Sequence, residues 1–442
     1  MSEKSVTILG AGLVGSLLSI FLRKQGYKVD IFERRRDMRL IDMSAGRSIN
    51  LALSLRGLAA LHSVGLEEKV KEICIPMHGR MIHNLRGETE LQPYGKRDEF
   101  INSVSRSALN EILMTAAEEE GVDIHFNHKC DAVDHKTAQC DITKDGTPFK
   151  AKSDWVFGAD GAFSSLRSSL LKTQGFNYSQ NYISAAYKEL SIPPTKEGDF
   201  ALEPHALHIW PRGEYMLIAL PNLDKSFTCT LFYPRIGRQS FEEITDGNDV
   251  LKLFKEAFPD TLSVMPTLLE DFFENPTSGL VTVRCSPWVK GRTALIGDAA
   301  HAIVPFYGQG MNAGFEDCFV FDQLVAEHGT INEEMLIDYE NLRKPDADAI
   351  ADLALYNFIE MRDKVADPKF LLQKKIEKEL FKRYPDQWVP LYSMVTFSQM
   401  RYSDALKKGM RQQGIMDQLF ENQIVTENLD NLDFESIIAQ LN

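Results

Sequence analysis

The sequence predicts an α/β fold in which a parallel-sheet domain is interrupted by an inserted antiparallel sheet and followed by a helical C-terminal region. Near the start, the strand-like runs VTIL at 6–9 and KVDIFE at 28–33 flank a helical pattern at 13–25, which indicates a βαβ unit. Between about 180 and 285, the runs LHIW, YMLIAL and FTCTLF are separated by turn sequences, which indicates an antiparallel sheet. From Asn332 onward the chain is rich in Leu, Glu, Lys and Ala, which favours helices.

The predicted organisation divides the chain into three parts. We expect a discontinuous first domain at 1–175 and 285–330, an inserted sheet domain at 176–284 and a C-terminal region at 331–442. The first domain is discontinuous because TALIG at 293–297 has the pattern of a further buried strand. Other elements of this domain are predicted as helices at 53–64 and 108–120 and a strand at 122–127.

The composition argues against some classes of partner. The 442-residue chain has a formal net charge of −14, which would repel nucleic acid and anionic lipid. An anionic ligand would therefore need arginines close to it. The cysteines lack a CxxC pair, which indicates reduced thiols in a reducing compartment: Cys74, Cys130, Cys140, Cys229, Cys285 and Cys318.

One segment has nearly the length of a membrane span. Residues 6–22 are 17 residues without a charge, but three glycines interrupt them and no cleavage site follows. We interpret this segment as a buried strand, a turn and a buried helix. The last 19 residues are acidic and interrupted by charges. We therefore expect a soluble, cytoplasmic protein that does not bind membranes.

The first motif is Gly10-Ala-Gly12-Leu-Val-Gly15, which follows a predicted strand and opens a helix. The pyrophosphate of a dinucleotide requires a tight turn at Gly10, close backbone approach at Gly12 and close helix–strand packing at Gly15. The helix N-terminus adds free N–H groups and the positive end of the helix dipole. Glu33, at the end of the second strand, can accept bonds from ribose hydroxyls. The motif predicts a Rossmann-like dinucleotide site without separating FAD from NAD.

Two later motifs also place a polar turn after a strand. The run WVFG at 155–158 leads to Asp160-Gly161 and Ser164-Ser165, which equally fits an ordinary turn and helix cap. TALIG leads to Asp298 and then to GQGMN at 308–312, which opens another helix. Asp298 can bond a polyol hydroxyl, and the helix N–H groups suit an electron-rich ring edge. His301 has no triad or metal spacing around it, so we predict a packing or hydrogen-bonding role.

These three motifs, in this order and spacing, resemble the single-component FAD-dependent aromatic hydroxylases. Within that family the chain is similar to the soluble bacterial members that hydroxylate the amino acid L-kynurenine in tryptophan degradation. Mitochondrial members carry a hydrophobic C-terminal anchor, and this sequence stops without one. The resemblance covers nearly the whole chain and rests on RSINLALS (47–54), PMHGRMIHNLRG (76–87), SVSR (103–106), LHIWPR (207–212), IALPN (218–222), SFTCTLF (226–232), HAIVPFYGQGMNAGFEDC (301–318), YNFIEMR (356–362) and PLYSMVTFS (390–398).

The resemblance implies a tightly but non-covalently bound FAD, with NADPH as co-substrate and no second glycine motif for it. It implies that NADPH reduces FAD and that O₂ then gives a flavin hydroperoxide, whose distal oxygen is transferred to the substrate ring. No side chain would act as catalytic acid or base, and Pro305, Phe306 and Tyr307 would form the pocket wall above the flavin. The residues assigned to FAD are Gly10, Gly12, Val14, Gly15, Phe32, Glu33, Arg34, Arg35, Ala52, Arg106, Cys130, Asp160, Ser165, Asp298, Gly310, Met311 and Asn312.

For L-kynurenine, the resemblance assigns a carboxylate clamp to Arg80, Tyr94, Asn357 and Tyr392, with segment 70–105 contributing to the substrate site. If the turn between the first two is the three-residue loop 86–88, Leu85 pairs with Thr89 and Arg80 faces Tyr94 across a hairpin. Arginine can then bind a carboxylate bidentately. Without the resemblance, Arg80 would be interpreted as a solvated hairpin arginine.

Asn357 lies on a predicted inward helix face with Ile350, Leu353, Ala354 and Met361. A buried asparagine needs a polar partner, and the pattern leaves open whether that partner is a ligand, another side chain or a water. The same choice is open for Tyr392, which lies in an apolar stretch. The resemblance favours the ligand for both, so the C-terminal region is expected to cover the substrate pocket.

Three other functions fit part of the sequence. A related hydroxylase acting on a phenol or a polycyclic compound would carry the same motifs. A flavin-dependent halogenase would need Trp-x-Trp-x-Ile-Pro, and the tryptophans at 155, 210, 288 and 388 are too far apart for it. An FAD-binding interaction protein without turnover would use the C-terminal region as a docking surface. The sequence leaves the oligomeric state open, with a homodimer as one candidate.

Overall fold

The computed structural model of the protein describes residues 4–40, 50–94, 99–360, 367–422, 429 and 432–441. Its first domain is built on a six-stranded sheet, with the spatial order β18 (Val289–Lys290), β19 (Thr293–Leu295), β12 (Trp155–Gly158), β1 (Ser5–Leu9), β2 (Lys28–Glu33) and β8 (Asp123–Phe126). All of these strands except β18 run parallel, so their carboxyl ends lie along one edge. Helix α1 (Leu13–Lys24) connects β1 to β2, which confirms the predicted βαβ opening.

A second large sheet has seven strands, in the order β17 (Ser278–Ser286), β13 (Asn177–Ile192), β16 (Phe227–Pro234), β15 (Tyr215–Pro221), β14 (Leu207–Arg212), β5 (Gly79–His83) and β6 (Thr89–Pro93). The predicted antiparallel strands are present, but β14 pairs in parallel with β5. The reason is that the β5–β6 hairpin, which precedes the insertion in sequence, joins its edge.

Two smaller sheets complete the strand content of the described residues. One has the order β3 (Asn50–Leu53), β7 (Ile101–Ser105) and β4 (Cys74–Met77). The other has the order β11 (Thr147–Lys152), β10 (Gln139–Lys144) and β9 (His128–Asp134). In the first of these sheets, Ala52 O of β3 accepts a hydrogen bond from Asn312 of the third motif.

Helices surround both large sheets. Those that precede the C-terminal region are α1, α2 (Leu55–Val64), α3 (Glu67–Lys71), α4 (Arg106–Glu119), α5 (Ser165–Leu170), α6 (Gly247–Ala257), α7 (Leu268–Glu274), α8 (Asp298–His301) and α9 (Gly310–His328). Helices α6 and α7 were not predicted within the inserted sheet domain. They exist because one face of the sheet needs cover, and their Phe254 and Phe272 lie in the same apolar cluster as Trp210 of β14.

The C-terminal region is helical, as predicted from Asn332 onward. Its helices are α10 (Glu333–Ile359), α11 (Pro368–Arg383), α12 (Leu391–Thr396), α13 (Tyr402–Glu421) and α14 (Phe434–Ala439). The Asn332 side chain accepts a hydrogen bond from Met335 N and so caps α10. An apolar cluster joins α10, α12 and α13 to the seven-stranded sheet, for example through Leu353, Met394 and Phe232.

The segment at 6–22 forms β1, a turn and α1, as interpreted from the sequence. Among the described residues, no helix combines the length and the apolar character that a membrane span needs. The six cysteines are free thiols, of which Cys74 is half-buried and the others are buried.

Candidate active site

Polar groups of all three motifs meet at the carboxyl edge of the parallel sheet. Gly10 follows β1, Glu33 ends β2, Asp160 follows β12, and Asp298 follows β19 by three residues. Because β19, β12, β1 and β2 are consecutive neighbours, these residues follow one another along one edge of the sheet, which is called the crevice below. Ligands of open α/β sheets bind at this edge.

The geometry of the three glycines in the first motif is compatible with the functions predicted for them. Gly10 has φ +98°, and an added Cβ would lie 2.8 Å from Ala159 O. A Cβ on Gly15 would lie 2.0 Å from Gly10 O, so the helix can approach the turn only with glycine there. A Cβ on Gly12 would meet nothing within 4 Å, and α1 begins after it without a side-chain cap. Gly12 therefore borders open space in front of uncapped helix N–H groups, as a pyrophosphate site requires.

Glu33 supports the turn from the next strand. Its Oε2 accepts a bond from Ala11 N at 2.9 Å, and its Oε1 accepts one from Arg35 N at 2.8 Å. Each carboxylate oxygen has a second lone pair, so ribose hydroxyls can still be bound. The neighbouring predicted residues differ in burial: Phe32 is buried and stacks on His125, whereas Arg34 and Arg35 are exposed.

Asp160 connects the second motif to the crevice. Its Oδ2 accepts a bond from Ser165 N at 2.6 Å, whereas its Oδ1 is buried without a partner among the described residues. Burial raises the pKa of this carboxyl, although hydrogen bonds from Ser164 and Ser165 oppose the shift. Cys130 is buried nearby in β9, and its pKa is raised by the adjacent Cys140 thiol and by burial. The orphaned Oδ1 of Asp160 needs a donor that a bound ligand would supply.

The third motif packs directly against the first. Val14 of α1 contacts both Gly297 and Gly314, where an added Cβ would lie 3.0 and 2.6 Å from its Cγ2. Helix α9 begins at Gly310 without a side-chain cap, with Gly310 and Met311 half-buried. Asn312 is fully buried, and its amide bonds Ser54 N, Ala52 O and Gly308 O.

These features fit FAD. Two uncapped helix N-termini, α1 and α9, end at the same crevice, with Glu33, the unpaired Asp160 oxygen and the exposed Asp298 between them. The glycine motif and Glu33 suit the ADP half of FAD, and the N-terminus of α9 suits the flavin half. Asn312 was predicted to bind FAD, but its side chain is used to brace β3 against the loop that precedes α9. Arg106 is exposed at the start of α4.

His301 has the predicted hydrogen-bonding and packing role. Its Nε2 lies 2.5 Å from Asp317 Oδ2, and Trp288 stacks on its ring at 5.1 Å. Asp317 also accepts a bond from Arg343 Nε at 2.8 Å. Burial opposes ionisation of Asp317, but His301 and Arg343 outweigh it and lower its pKa to about 2. His301, Asp317 and Arg343 thus join α8, α9 and α10 through buried polar contacts and have a structural role.

The predicted clamp residues Arg80, Tyr94 and Tyr392 come together. The Arg80 guanidinium lies 4.5 Å from the Tyr392 ring centroid and 5.7 Å from that of Tyr94. Tyr94 and Tyr392 stack at 5.5 Å, and Tyr307 stacks on the other side of Tyr392 at 5.6 Å. The Tyr94 hydroxyl is buried without a partner in the described part of the chain. One cation and three tyrosines thus form a single cluster.

The predicted register of the hairpin was wrong. Arg80 pairs with Gln92, and His83 pairs with Thr89, so the loop is 84–88 and Leu85 lies within it. The reason is Asn84, whose Oδ1 accepts bonds from Arg86 N and Glu88 N and whose N–H donates to Glu88 O, so the turn lies one residue earlier than expected. Tyr94 reaches Arg80 from beyond the end of β6 instead of from across the hairpin.

Asn357 lies next to the pocket wall. Ile350, Leu353 and Ala354 are buried as predicted, and Met361 lies outside the described residues. The Asn357 amide donates to Phe306 O at 2.6 Å, so part of its polar capacity is used by the 305–307 turn. Pro305 is exposed, Tyr307 is buried, and Phe306 is half-buried.

Several residues of the site were missed by the sequence analysis. Phe232 and Phe358 contact Phe306 with ring centroids 5.0 and 4.6 Å away, and Phe397 lies against Tyr94 and Tyr392. All three lie in the quoted stretches SFTCTLF, YNFIEMR and PLYSMVTFS, which was the available signal. Arg167, in the second motif, donates to Ala299 O and so ties that motif to the third.

Comparison with known proteins decides the family. The FAD binding domain family model matches residues 3–354. A kynurenine 3-monooxygenase from Flavobacterium psychrophilum is 48% identical over 442 residues, covering 99% of this chain and 98% of its own length. The chain belongs to the kynurenine 3-monooxygenase family. The relative from Sus scrofa is 44% identical over 422 residues, covering 94% and 89%. Membership of this family shows that the chain is an FAD-dependent monooxygenase that uses NADPH as co-substrate.

Solved structures agree with the fold. The tetrameric form of 2-methyl-3-hydroxypyridine-5-carboxylic acid oxygenase has a TM-score of 0.69 at 20% identity, covering 83% of this chain and 95% of its own. The p-nitrophenol 4-monooxygenase from Pseudomonas putida has a TM-score of 0.69 at 17% identity, covering 91% and 98%. The predicted fold class is confirmed: an α/β, Rossmann-like FAD-binding domain with an inserted sheet and a helical C-terminal region.

Proposed function

We propose that this chain hydroxylates L-kynurenine to 3-hydroxy-L-kynurenine with NADPH and O₂. The proposal rests on the surroundings of the Arg80 side chain. The buried arginines Arg56 and Arg343 pair with carboxylates, and the buried Arg167 donates to backbone carbonyl oxygens. Arg80 has no ion pair with any described residue and lies against the rings of Tyr94 and Tyr392. A half-buried cation inside an aromatic cluster, in a chain of net charge −14, favours a ligand that is both anionic and aromatic.

Each part of an amino-acid substrate has a complementary group in this cluster. The Arg80 guanidinium would bind the carboxylate bidentately, and the unpaired Tyr94 hydroxyl would donate one more bond. Phe232, Phe306 and Phe358 supply an apolar slot for the ring. Asn357 and Tyr392 join the clamp in the proposal, with Asn357 also fixing the 305–307 turn.

The overall reaction consumes kynurenine, NADPH, a proton and O₂ and yields 3-hydroxykynurenine, NADP⁺ and water. FAD, when bound, supplies the hydride acceptance and the oxygen activation. The chain's own part is to hold the substrate, exclude water and stabilise charge. The uncapped N-terminus of α9 offers N–H groups and a positive dipole end where negative charge develops. The substrate's amine activates the adjacent ring position, so no side-chain acid or base is needed.

The FAD roles proposed for individual residues follow from their positions. Gly10, Gly12, Gly15 and Glu33 would hold the ADP half, and Asp160 and Asp298 would accept hydrogen bonds from hydroxyls of the cofactor. Gly310 and Met311 would face the flavin. Free cysteines suit a reducing compartment, and we place the enzyme in the cytoplasm.

The test compares substrates on the purified yellow protein. NADPH oxidation is followed at one enzyme concentration with no aromatic, with L-kynurenine, and with a matched set of phenols. The proposal expects stimulation by L-kynurenine and chromatographic detection of 3-hydroxykynurenine. Stimulation by a phenol in preference to kynurenine would keep the fold and the FAD site but assign the alternative substrate class.

A further inference from the structure

The loop at 305–309 above the predicted flavin site is held by side chains from three helices. Asn357 of α10 donates to Phe306 O at 2.6 Å, and Asn312 of α9 donates to Gly308 O at 2.9 Å. The third contact comes from α13, where the hydroxyl of Tyr402 donates to Gln309 Oε1 at 2.8 Å. Tyr402 and Gln309 are 0% and 1% exposed, so loss of this bond would leave a buried polar group without its partner.

Tyr402 lies directly on a buried arginine. The guanidinium of Arg56, in α2, is 4.0 Å from the Tyr402 ring centroid, and its side chain is 0% exposed. It pairs with Glu316 of α9 at 2.6 Å. Its other donors bond Val395 O at 3.0 Å and Met400 O. Arg56 therefore holds both ends of the connection between α12 and α13 to the first domain.

Helix α12 also carries Tyr392, the residue that touches Arg80 and stacks on Tyr307. A shift of α12 would draw Val395 O away from Arg56 and leave a buried charge short of acceptors, which is costly. The same arginine supports Tyr402, and Tyr402 holds Gln309 at the end of the loop.

We infer that Arg56 and Tyr402 are positioning residues that couple the seating of Tyr392 to the placement of the loop at 305–309. A substrate that engages Tyr392 thereby fixes the wall above the flavin through a chain of buried contacts. The inference goes beyond the proposed function, and only its kinetic readout rests on that function.

The deciding variant is Tyr402→Phe, which keeps the ring over Arg56 and removes the hydroxyl bond to Gln309. The matched control is Tyr339→Phe, because Tyr339 of α10 is 0% exposed and its hydroxyl has no partner among the described residues. Hydrogen–deuterium exchange of the FAD-loaded proteins is measured for peptides covering 305–309. We expect about tenfold faster exchange in Tyr402→Phe and an unchanged rate in the control. Equal rates in wild type and Tyr402→Phe would overturn the inference.

The kinetic readout is the amount of 3-hydroxykynurenine formed per NADPH. In Tyr402→Phe this ratio should fall about threefold or more while KM for L-kynurenine changes less than twofold. If Tyr402→Phe lowers the melting temperature but leaves the product-to-NADPH ratio and the hydrogen–deuterium exchange of 305–309 unchanged, the bond between Tyr402 and Gln309 is merely structural. If wild type makes no 3-hydroxykynurenine, the proposed function fails, and exchange alone decides the inference. Should Tyr402→Phe fail to fold, Gln309→Met breaks the same bond from the loop side and is measured by the same exchange.

Discussion

Replacing Arg80 by alanine removes the cation that is proposed to bind the substrate carboxylate. Truncating one partner of a desolvated charge pair costs about 2–5 kcal/mol. Arg80 is half-buried, so solvent screens part of its field and the lower end applies, about 2–3 kcal/mol. At about 1.4 kcal/mol per factor of ten, L-kynurenine should bind roughly 30- to 150-fold more weakly to Arg80→Ala. Arg80→Lys keeps the charge but loses the planar fork, so its affinity should be intermediate.

The assay is a titration of the flavin absorbance with L-kynurenine and with its decarboxylated analogue. Wild type should prefer L-kynurenine by the factor given above, and Arg80→Ala should bind the two ligands equally. Arg86→Ala is the control, because Arg86 lies in the same hairpin, is 79% exposed and pairs with Glu88. If Arg80→Ala lowers the affinity for both ligands by the same factor, the arginine supports the fold and does not bind the carboxylate.

Three further predictions concern the cofactor site, its support and the pocket wall. The apoprotein of Gly12→Ala should have a melting temperature within about 2 °C of wild type but should bind FAD at least about tenfold more weakly. Gly15→Ala should give less folded protein, because its Cβ would lie 2.0 Å from the backbone oxygen of Gly10. Asp317→Asn should lower the free energy of unfolding in urea by about 3–5 kcal/mol, because His301 loses its buried partner. In wild type the pKa of Asp317 is lowered to about 2, so its stabilisation is present above pH ~4 and is lost as pH falls toward 2. Phe306→Ala should open the wall and divert NADPH to hydrogen peroxide, with product per NADPH at least halved; an unchanged ratio would remove Phe306 from the wall.

Local patterns predicted the elements that carry the cofactor site. The strand at 28–33, the helix after Gly12 and the C-terminal region from Asn332 lie where the strand-like run, the glycine motif and the helix-favouring composition placed them. The glycine motif was informative because each glycine has a separate steric reason to be glycine. His301 was correctly assigned to support because no catalytic partner was spaced around it.

The rest depended on contacts between distant parts of the chain. The hairpin register depended on one residue, Asn84, whose bonds place the turn one residue earlier than expected. The parallel pairing of β14 with β5 joins strands about 130 residues apart, and no local pattern encodes it. Arg56 and Tyr402 were missed for the same reason. Each lies in a helical pattern without a distinctive motif, and their contact forms only when α2 and α13 come together in the fold.

Hydroxylation of L-kynurenine by this enzyme can be followed through the oxygen atom that enters the product. The FAD-loaded enzyme is incubated with NADPH and L-kynurenine under ¹⁸O₂, and the product is analysed by chromatography and mass spectrometry. We expect 3-hydroxykynurenine that carries one ¹⁸O on the ring and is formed in proportion to the NADPH consumed. Substrate-stimulated NADPH consumption without labelled 3-hydroxykynurenine would contradict the assignment of kynurenine as the compound that this site hydroxylates.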